Sequence, residues 1–229
     1  MTETLTADIN ASELEHWRRR LPKIAAAEMD TDAAHDLGHL ARVARAAEVI
    51  AQGEGQGAEP LIVLAASWLH DLVNLPKDSP DRARASTLSA DRAIELLAAE
   101  GFPRHLLPGV HHAIAAHSWS AQITAETLEA QIVQDADRME SFGLIAISRT
   151  MAVSAKLGRP LWNDDDPLCR NRAADETLYG LDHVYEKLKK LPEHLNTATA
   201  KRIGERRMAH MDQFLATLEI ELSGADLED

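Results

Sequence analysis

The stretch LIVLAASWL, residues 61–69, constrains this chain more than any other. As a helix it is apolar on every side, so no half-exposed position at a surface suits it and other elements must cover it all round. A chain of 229 residues is long enough to build that cover. The run opens at Pro60, a favoured first helical position, and closes on His70 and Asp71, two groups that are costly to bury unless something pairs with them. Beyond them the loop LVNLPKDSPDRAR is dense in Lys, Asp and Arg.

The covering elements are visible in the apolar periodicity. Ala, Leu, Glu and Arg abound, aromatics make up only 4%, and β-branched residues rarely alternate with polar ones, so the pattern is helical and no strand is expected. Ser12 with Glu15 has the form of a capping box for a helix over about 12–29, with Leu14, Trp17, Leu21 and Ile24 at helical spacing. A second helix is predicted over about 36–52, with Leu40, Val43, Ala47 and Ile50 in one stripe and GEGQG as its stop. Others are predicted over 88–100, from about 103 or 107 to 117, over 126–157 with a joint near Ser141 to Gly143, over 174–190 and over 197–222. GRPLWNDDDPLCRN, residues 158–171, reads as a polar loop and the most mobile segment. The acidic end GADLED is expected to fray. Neither an internal repeat nor a Gly-, Ser- or Pro-rich linker divides the chain. The expectation is an all-α fold, a single-domain helical bundle over 1–229 with its core at about 33–210 and the helix at about 12–29 packed on it.

Charge narrows the function. Lys and Arg number 24 against 37 Asp and Glu, a net charge of −13, and the only basic block is Arg18 to Arg20. Long nucleic acid is therefore excluded as a main partner, while a small anion held through a cation is not. The single Cys169 rules out an internal disulfide and agrees with a reducing compartment. MTETLTADINASELEHW has no signal-peptide pattern, and the longest apolar run is far too short to span a bilayer. A soluble cytoplasmic protein with no membrane partner is expected; a homodimer is compatible with the sequence.

Groups able to hold a metal recur along the chain. His35 and His39 share one helix face, His70 and Asp71 end the apolar run, and Asp135 and Asp137 flank Ala136. Imidazole with carboxylate suits a divalent cation such as Mn, Mg, Fe, Co, Ni or Zn. Spacing alone leaves open the plainer reading, hydrogen-bonded core histidines and a polar helix end. On a helix Asp135 and Asp137 point about 200° apart, so only one reaches a given ion easily.

The order of these groups resembles a known family. His39 followed by LARV, LHD at residues 69–71 and QDADR at 134–138 are similar to the ordered His, His-Asp, Asp signature of the HD superfamily of metal-dependent phosphohydrolases. More narrowly, LHDLVNLPKDSPDRA, HAIAAHSWSA, IVQDADR with SFGLIAISRT, and DHVYEKLKKL with NTATAK resemble a bacterial subgroup of small HD hydrolases, over most of residues 33–210. The resemblance implies a divalent metal held by His39, His70, Asp71 and one aspartate of the later pair. Asp137, followed by Arg138 and Met139, matches the family pattern; Asp135 is then a supporting or capping group, and His35 a helix-start or supporting residue. It further implies that Asp71 also orients the attacking water, with His117 and His112 assisting proton transfer or stabilising charge. The alternative for both is a helix-end histidine facing solvent. Lys77, Arg82 and Arg138 are the candidates to hold phosphate oxygens, with Arg84 behind them; the alternative is solvated surface charge. Asp182, His183 and Lys187 match the subgroup's flanks, and Asp182 and Lys187 read most simply as helix-surface charges. Among rings able to stack a base, Trp68 and Phe142 read as core, and Trp119 and Trp162 lie in turns.

The implied activity is hydrolysis of a small phosphorylated substrate, a nucleotide foremost, with cleavage of a nucleoside triphosphate to monophosphate and pyrophosphate within the subgroup's range. The alternatives are a non-catalytic metal- or nucleotide-binding regulatory domain, and a monophosphatase or alarmone hydrolase of the same superfamily. The chain departs from the pattern at Asn74. Some nucleotide-cleaving relatives carry a Glu three residues after the HD aspartate, and an amide cannot replace it as a base.

Overall fold

A computed structural model of the chain describes residues 11–28, 37–73, 75, 79 and 81–227. Among these residues there are helices and turns and no strand. The chain packs as two compact units, residues 1–136 and 137–229.

The first unit contains α1 (Ala11–Glu28), α2 (Leu37–Glu54), α3 (Pro60–Leu69), α4 (Ala85–Ala99), α5 (Leu107–Ala115) and α6 (Leu128–Arg138) up to its Ala136. Ser12 is helical, with Ala11 already helical before it, so it is not the cap of α1. α3 is the centre, as its composition requires: Leu61 to Ser67 and Leu69 are all buried. Its start is fixed by Pro60 and by the Glu59 carboxylate, which accepts the Leu61 N–H at 3.2 Å. Around it, α1 contributes Trp17, Leu21, Ile24 and Ala25, the other helices Leu40, Leu97, Val110, Ile114 and Val133, and the turn after α4 Phe102. Trp17 meets Phe102 edge-on, with centroids 4.9 Å apart.

One glycine marks where two of these helices touch. A Cβ on Gly109 would lie 2.5 Å from Ile62 Cδ1, so α5 packs directly on α3 here and a larger residue would make the tip of Ile62 turn aside. Farther along the same two helices, the His70 and His117 rings face each other with centroids 4.8 Å apart. α3 and α5 therefore run in the same direction, and their C-terminal ends meet.

The second unit holds the end of α6, α7 (Gly143–Lys156), α8 (Asp182–Glu186) and α9 (Ala198–Ser223). Its core includes Ile147, Leu181, Val184, Leu188, Met211 and Leu215. The joint between α6 and α7 falls where the sequence placed it: Phe142 is extended and Gly143 takes φ +70°, which a side chain would resist. Thr197 caps α9 by accepting the Ala200 N–H at 3.3 Å, and Gly224 ends the helix in a left-handed conformation.

One expectation is corrected here. Residues 174–181 are not helical, because side chains claim the backbone donors: Asp175 accepts the Thr177 N–H at 2.9 Å and Asp182 accepts the Asp175 N–H at 2.7 Å. The 158–171 loop carries hydrogen bonds among its own polar residues. Asp166 accepts the N–H groups of Arg170 at 2.9 Å and Asn171 at 2.7 Å, and Asn163 accepts those of Asp165 at 3.0 Å and Asp166 at 2.8 Å. No described helix is long and apolar enough to cross a membrane.

Candidate active site

The C-terminal ends of α3 and α5 carry the groups singled out from the sequence. His70 is the C-cap of α3, Asp71 follows it, and His117 stands just past the Ala116 cap of α5. His70 and His117 are buried, at 0% and 7% exposure, while the Asp71 side chain keeps 20%. One ligand atom from each of His70, Asp71 and His117 lies within 4.8 Å of the others. Asp71 Oδ1 is 3.7 Å from His117 Nε2, and Asp71 Oδ2 is 4.0 Å from His70 Nε2. Two helix C-termini and a carboxylate converge, a field that favours a cation.

The imidazoles are held in one tautomer by the backbone. His70 Nδ1 is 2.9 Å from the Ser67 carbonyl, and His117 Nδ1 is 2.7 Å from the Ile114 carbonyl. A carbonyl only accepts, so each Nδ1 carries the proton and donates it, and each Nε2 presents a lone pair. Both rings are turned by the carbonyl three residues back, so the two helix ends are built alike. His39, on α2 and 3% exposed, brings its Nε2 to 3.3 Å from His70 Nε2. Metal–imidazole bonds run at about 2.0–2.1 Å, which puts two nitrogens of one ion roughly 3.0–3.4 Å apart. The spacing and the donor types therefore fit a divalent cation.

The remaining candidates divide. Asp135 is fully buried on α6, and Asp137 is half-buried near the end of that helix. His112 is engaged away from the cluster: its Nε2 accepts the Glu126 N–H at 3.1 Å and so holds the α5–α6 loop. Arg82 is half-buried and donates to the Leu75 carbonyl, bracing the loop after the HD pair. Arg138 donates to the His194 carbonyl in the second unit. Arg84 is exposed and pairs with Asp81 at 3.3 Å. His35, Asn74 and Lys77 lie outside the described residues.

Trp119, two residues beyond His117, is 60% exposed, whereas Trp162 packs against the core of the second unit. Phe142 is fully buried and Trp68 packs against the first unit's core, as read from the sequence. Lys187 is an exposed partner of Glu176. Asp182 is not the surface charge its sequence position suggests. It is fully buried and clasped by both terminal nitrogens of Arg172, one at 2.7 Å.

Sequence reasoning missed the polar support behind the cluster. Ser86 donates to the Ala115 carbonyl at 2.9 Å, Gln134 to the Ala116 carbonyl at 2.8 Å, and Ser89 accepts the Val73 N–H at 2.9 Å. The available signal was two serines on the same stripe of α4 as Ala90, Ala93 and Leu97, all buried.

Comparison with known proteins follows the same residues. The HD domain family model matches residues 36–141. The YpgQ protein of Bacillus subtilis is 31% identical over 203 residues, covering 87% of this chain and 90% of that protein. Among solved structures, an HD-superfamily hydrolase from Bacillus thuringiensis superposes with a TM-score of 0.70 at 27% identity, covering 92% of this chain and 98% of that one. Bacillus subtilis YpgQ in complex with ADP superposes with a TM-score of 0.69 at 25% identity, covering 93% and 98%.

Proposed function

Because the chain belongs to the HD-domain family, we propose that it is a divalent-metal-dependent phosphohydrolase whose substrate is a small phosphorylated molecule, a nucleotide foremost. The observation that carries this reading is the pair of buried imidazoles, His70 and His117, each fixed with its Nε2 lone pair available beside the Asp71 carboxylate. His39, His70, Asp71 and Asp137 are the proposed ligands. A bound divalent ion supplies a lowered water pKa and a polarised phosphoryl oxygen. Asp71 orients the attacking water, and His117 takes up its proton at Nε2 while Nδ1 stays on the Ile114 carbonyl. With its Nε2 on the Glu126 amide, His112 is assigned a supporting role in holding the loop. Arg82, Arg138 and Lys77 remain the proposed phosphate-binding groups, the first two reaching substrate by exchanging a backbone carbonyl for a phosphate oxygen, a stronger acceptor.

The nucleotide assignment draws on the ADP complex of the Bacillus subtilis relative. The bond proposed to break joins the α- and β-phosphates of a nucleoside triphosphate. The test is a panel of nucleoside triphosphates, monophosphates and sugar phosphates with Mn-loaded protein, with products identified by chromatography. Monophosphate and pyrophosphate are expected; release of neither phosphate nor pyrophosphate from any substrate refutes the enzyme reading. His70→Ala and Asp71→Ala should each lower bound metal by elemental analysis, and unchanged metal content removes the ligand assignment. One feature favours a non-catalytic regulatory domain, the amide at Asn74; tight nucleotide binding without turnover in the same panel would establish it.

A further inference from the structure

Two hydroxyl groups that touch neither end of the Asp71–His117 pair lie behind it. Ser86 and Ser89 stand three residues apart on one face of α4, with 2% and 0% exposure. A buried helical serine ordinarily satisfies itself on the carbonyl four residues back, as Ser67 does on Val63 at 2.7 Å. Ser86 and Ser89 instead reach other segments. Ser86 Oγ donates to the carbonyl of Ala115, the last residue of α5, where the helix supplies no N–H of its own. Ser89 Oγ accepts the N–H of Val73, two residues past Asp71. One helix thus grips the chain on both sides of the pair.

We propose that Ser86 and Ser89 are positioning residues: by pinning Ala115 and Val73 to α4 they set the 3.7 Å spacing between His117 Nε2 and Asp71 Oδ1. The path from Ser86 is short. Ala115 is the neighbour of Ile114, whose carbonyl holds His117 Nδ1, so a loosened final turn of α5 frees the ring to rotate and change tautomer. From Ser89 the path runs through Val73 and Leu72 to the Asp71 backbone. Gln134, on the Ala116 carbonyl at 2.8 Å, supports the Ser86 arm. The catalytic part of this inference rests on the hydrolase reading above; the geometric part does not.

The test uses Ser86→Ala, Ser89→Ala and His117→Ala in the full chain, singly and paired, with folding checked by circular dichroism. In the metal-free protein, long-range 1H–15N spectra should show His117 as a single Nδ1–H tautomer, and Ser86→Ala should give a mixture of tautomers. Mn titration should show weaker binding in Ser89→Ala. With an active wild type, each serine variant should lower kcat about ten- to a hundredfold, the scale of a 1 Å misplacement, with KM changed less than about threefold. Ser86→Ala should add nothing in the His117→Ala background, whereas a general loss of stability would add its full effect. Ser86→Thr, which keeps the hydroxyl, should restore the single tautomer. The proposal is overturned by an unchanged His117 tautomer in Ser86→Ala, or by full additivity with His117→Ala. If the wild type proves inactive on every substrate, the hydrolase reading fails, and the tautomer and Mn titration still decide the positioning inference.

Discussion

Replacing Arg172 with Met should release the loop of the second unit while leaving its helices in place. Asp182 has no exposed side-chain surface, and its carboxylate is filled by the two terminal nitrogens of Arg172 and the Asp175 N–H. Arg172 also donates its Nε to the Asp166 carbonyl at 3.0 Å and lies over the Tyr179 ring at 4.9 Å. Burial alone pushes the Asp182 carboxyl up, but the hydrogen bonds, led by Arg172, outweigh it and hold it below its ordinary value. Removing the guanidinium leaves a buried charge without its partner, a change that costs about 3–5 kcal/mol, and losing the ring contact adds about 0.5–1 kcal/mol.

The local readout is hydrogen exchange at Gly180 and Leu181, whose N–H groups bond the Pro160 and Leu161 carbonyls at 3.0 and 2.7 Å. At about 1.4 kcal/mol per factor of ten, exchange there should speed by roughly two and a half to four orders of magnitude. In the native protein the lowered Asp182 value contributes stability that is present above the unfolded carboxyl pKa, about 3.9, and is lost as pH falls through the folded value. In the variant the unpaired carboxyl is raised instead, so the deficit should shrink as pH is lowered from 7 toward 4. Arg172→Met with Asp182→Leu should recover much of the loss, because no buried charge remains. Exchange accelerated less than tenfold at pH 7 in Arg172→Met, or a double variant worse than the single, would refute the reasoning.

Two further outcomes are expected. Trp17→Ala should cost about 3–5 kcal/mol in urea denaturation, because the indole is 3% exposed and meets Phe102 edge-on; a loss under about 1 kcal/mol would mean that α1 is peripheral to the core. The Cys169 thiol is pushed up to about 11, first by burial and then by its hydrogen bond to Asp182. At pH 8 its alkylation by iodoacetamide, followed by mass spectrometry, should run more than about a hundredfold slower than that of an ordinary thiol, and unfolding in urea should abolish the difference.

The sequence by itself determined the helices and the identity of the chemical groups. The apolar run at residues 61–69 demands a central helix whatever surrounds it, and α3 is that helix. The joint near Ser141 to Gly143 and the start of the last helix near Thr197 are equally local, since each depends on a few neighbouring residues. The ordered His39, His70–Asp71, Asp137 pattern pointed to the family that the comparisons identify. What tertiary structure decided is which groups meet. His112 and His117 share a helical segment and look alike in sequence, yet only His117 joins His70 and Asp71, because α5 packs on α3 at Gly109 and the ends of the two helices coincide. Asp182 looked like a surface charge because its partner Arg172 lies in a loop with no periodicity to reveal it. Ser86 and Ser89 looked like ordinary helix residues, and only the paths of α5 and of the chain after Asp71 show where their hydroxyls go. Periodicity reports which face of an element is buried; it carries no information about the backbone carbonyl or N–H that another segment brings to that face.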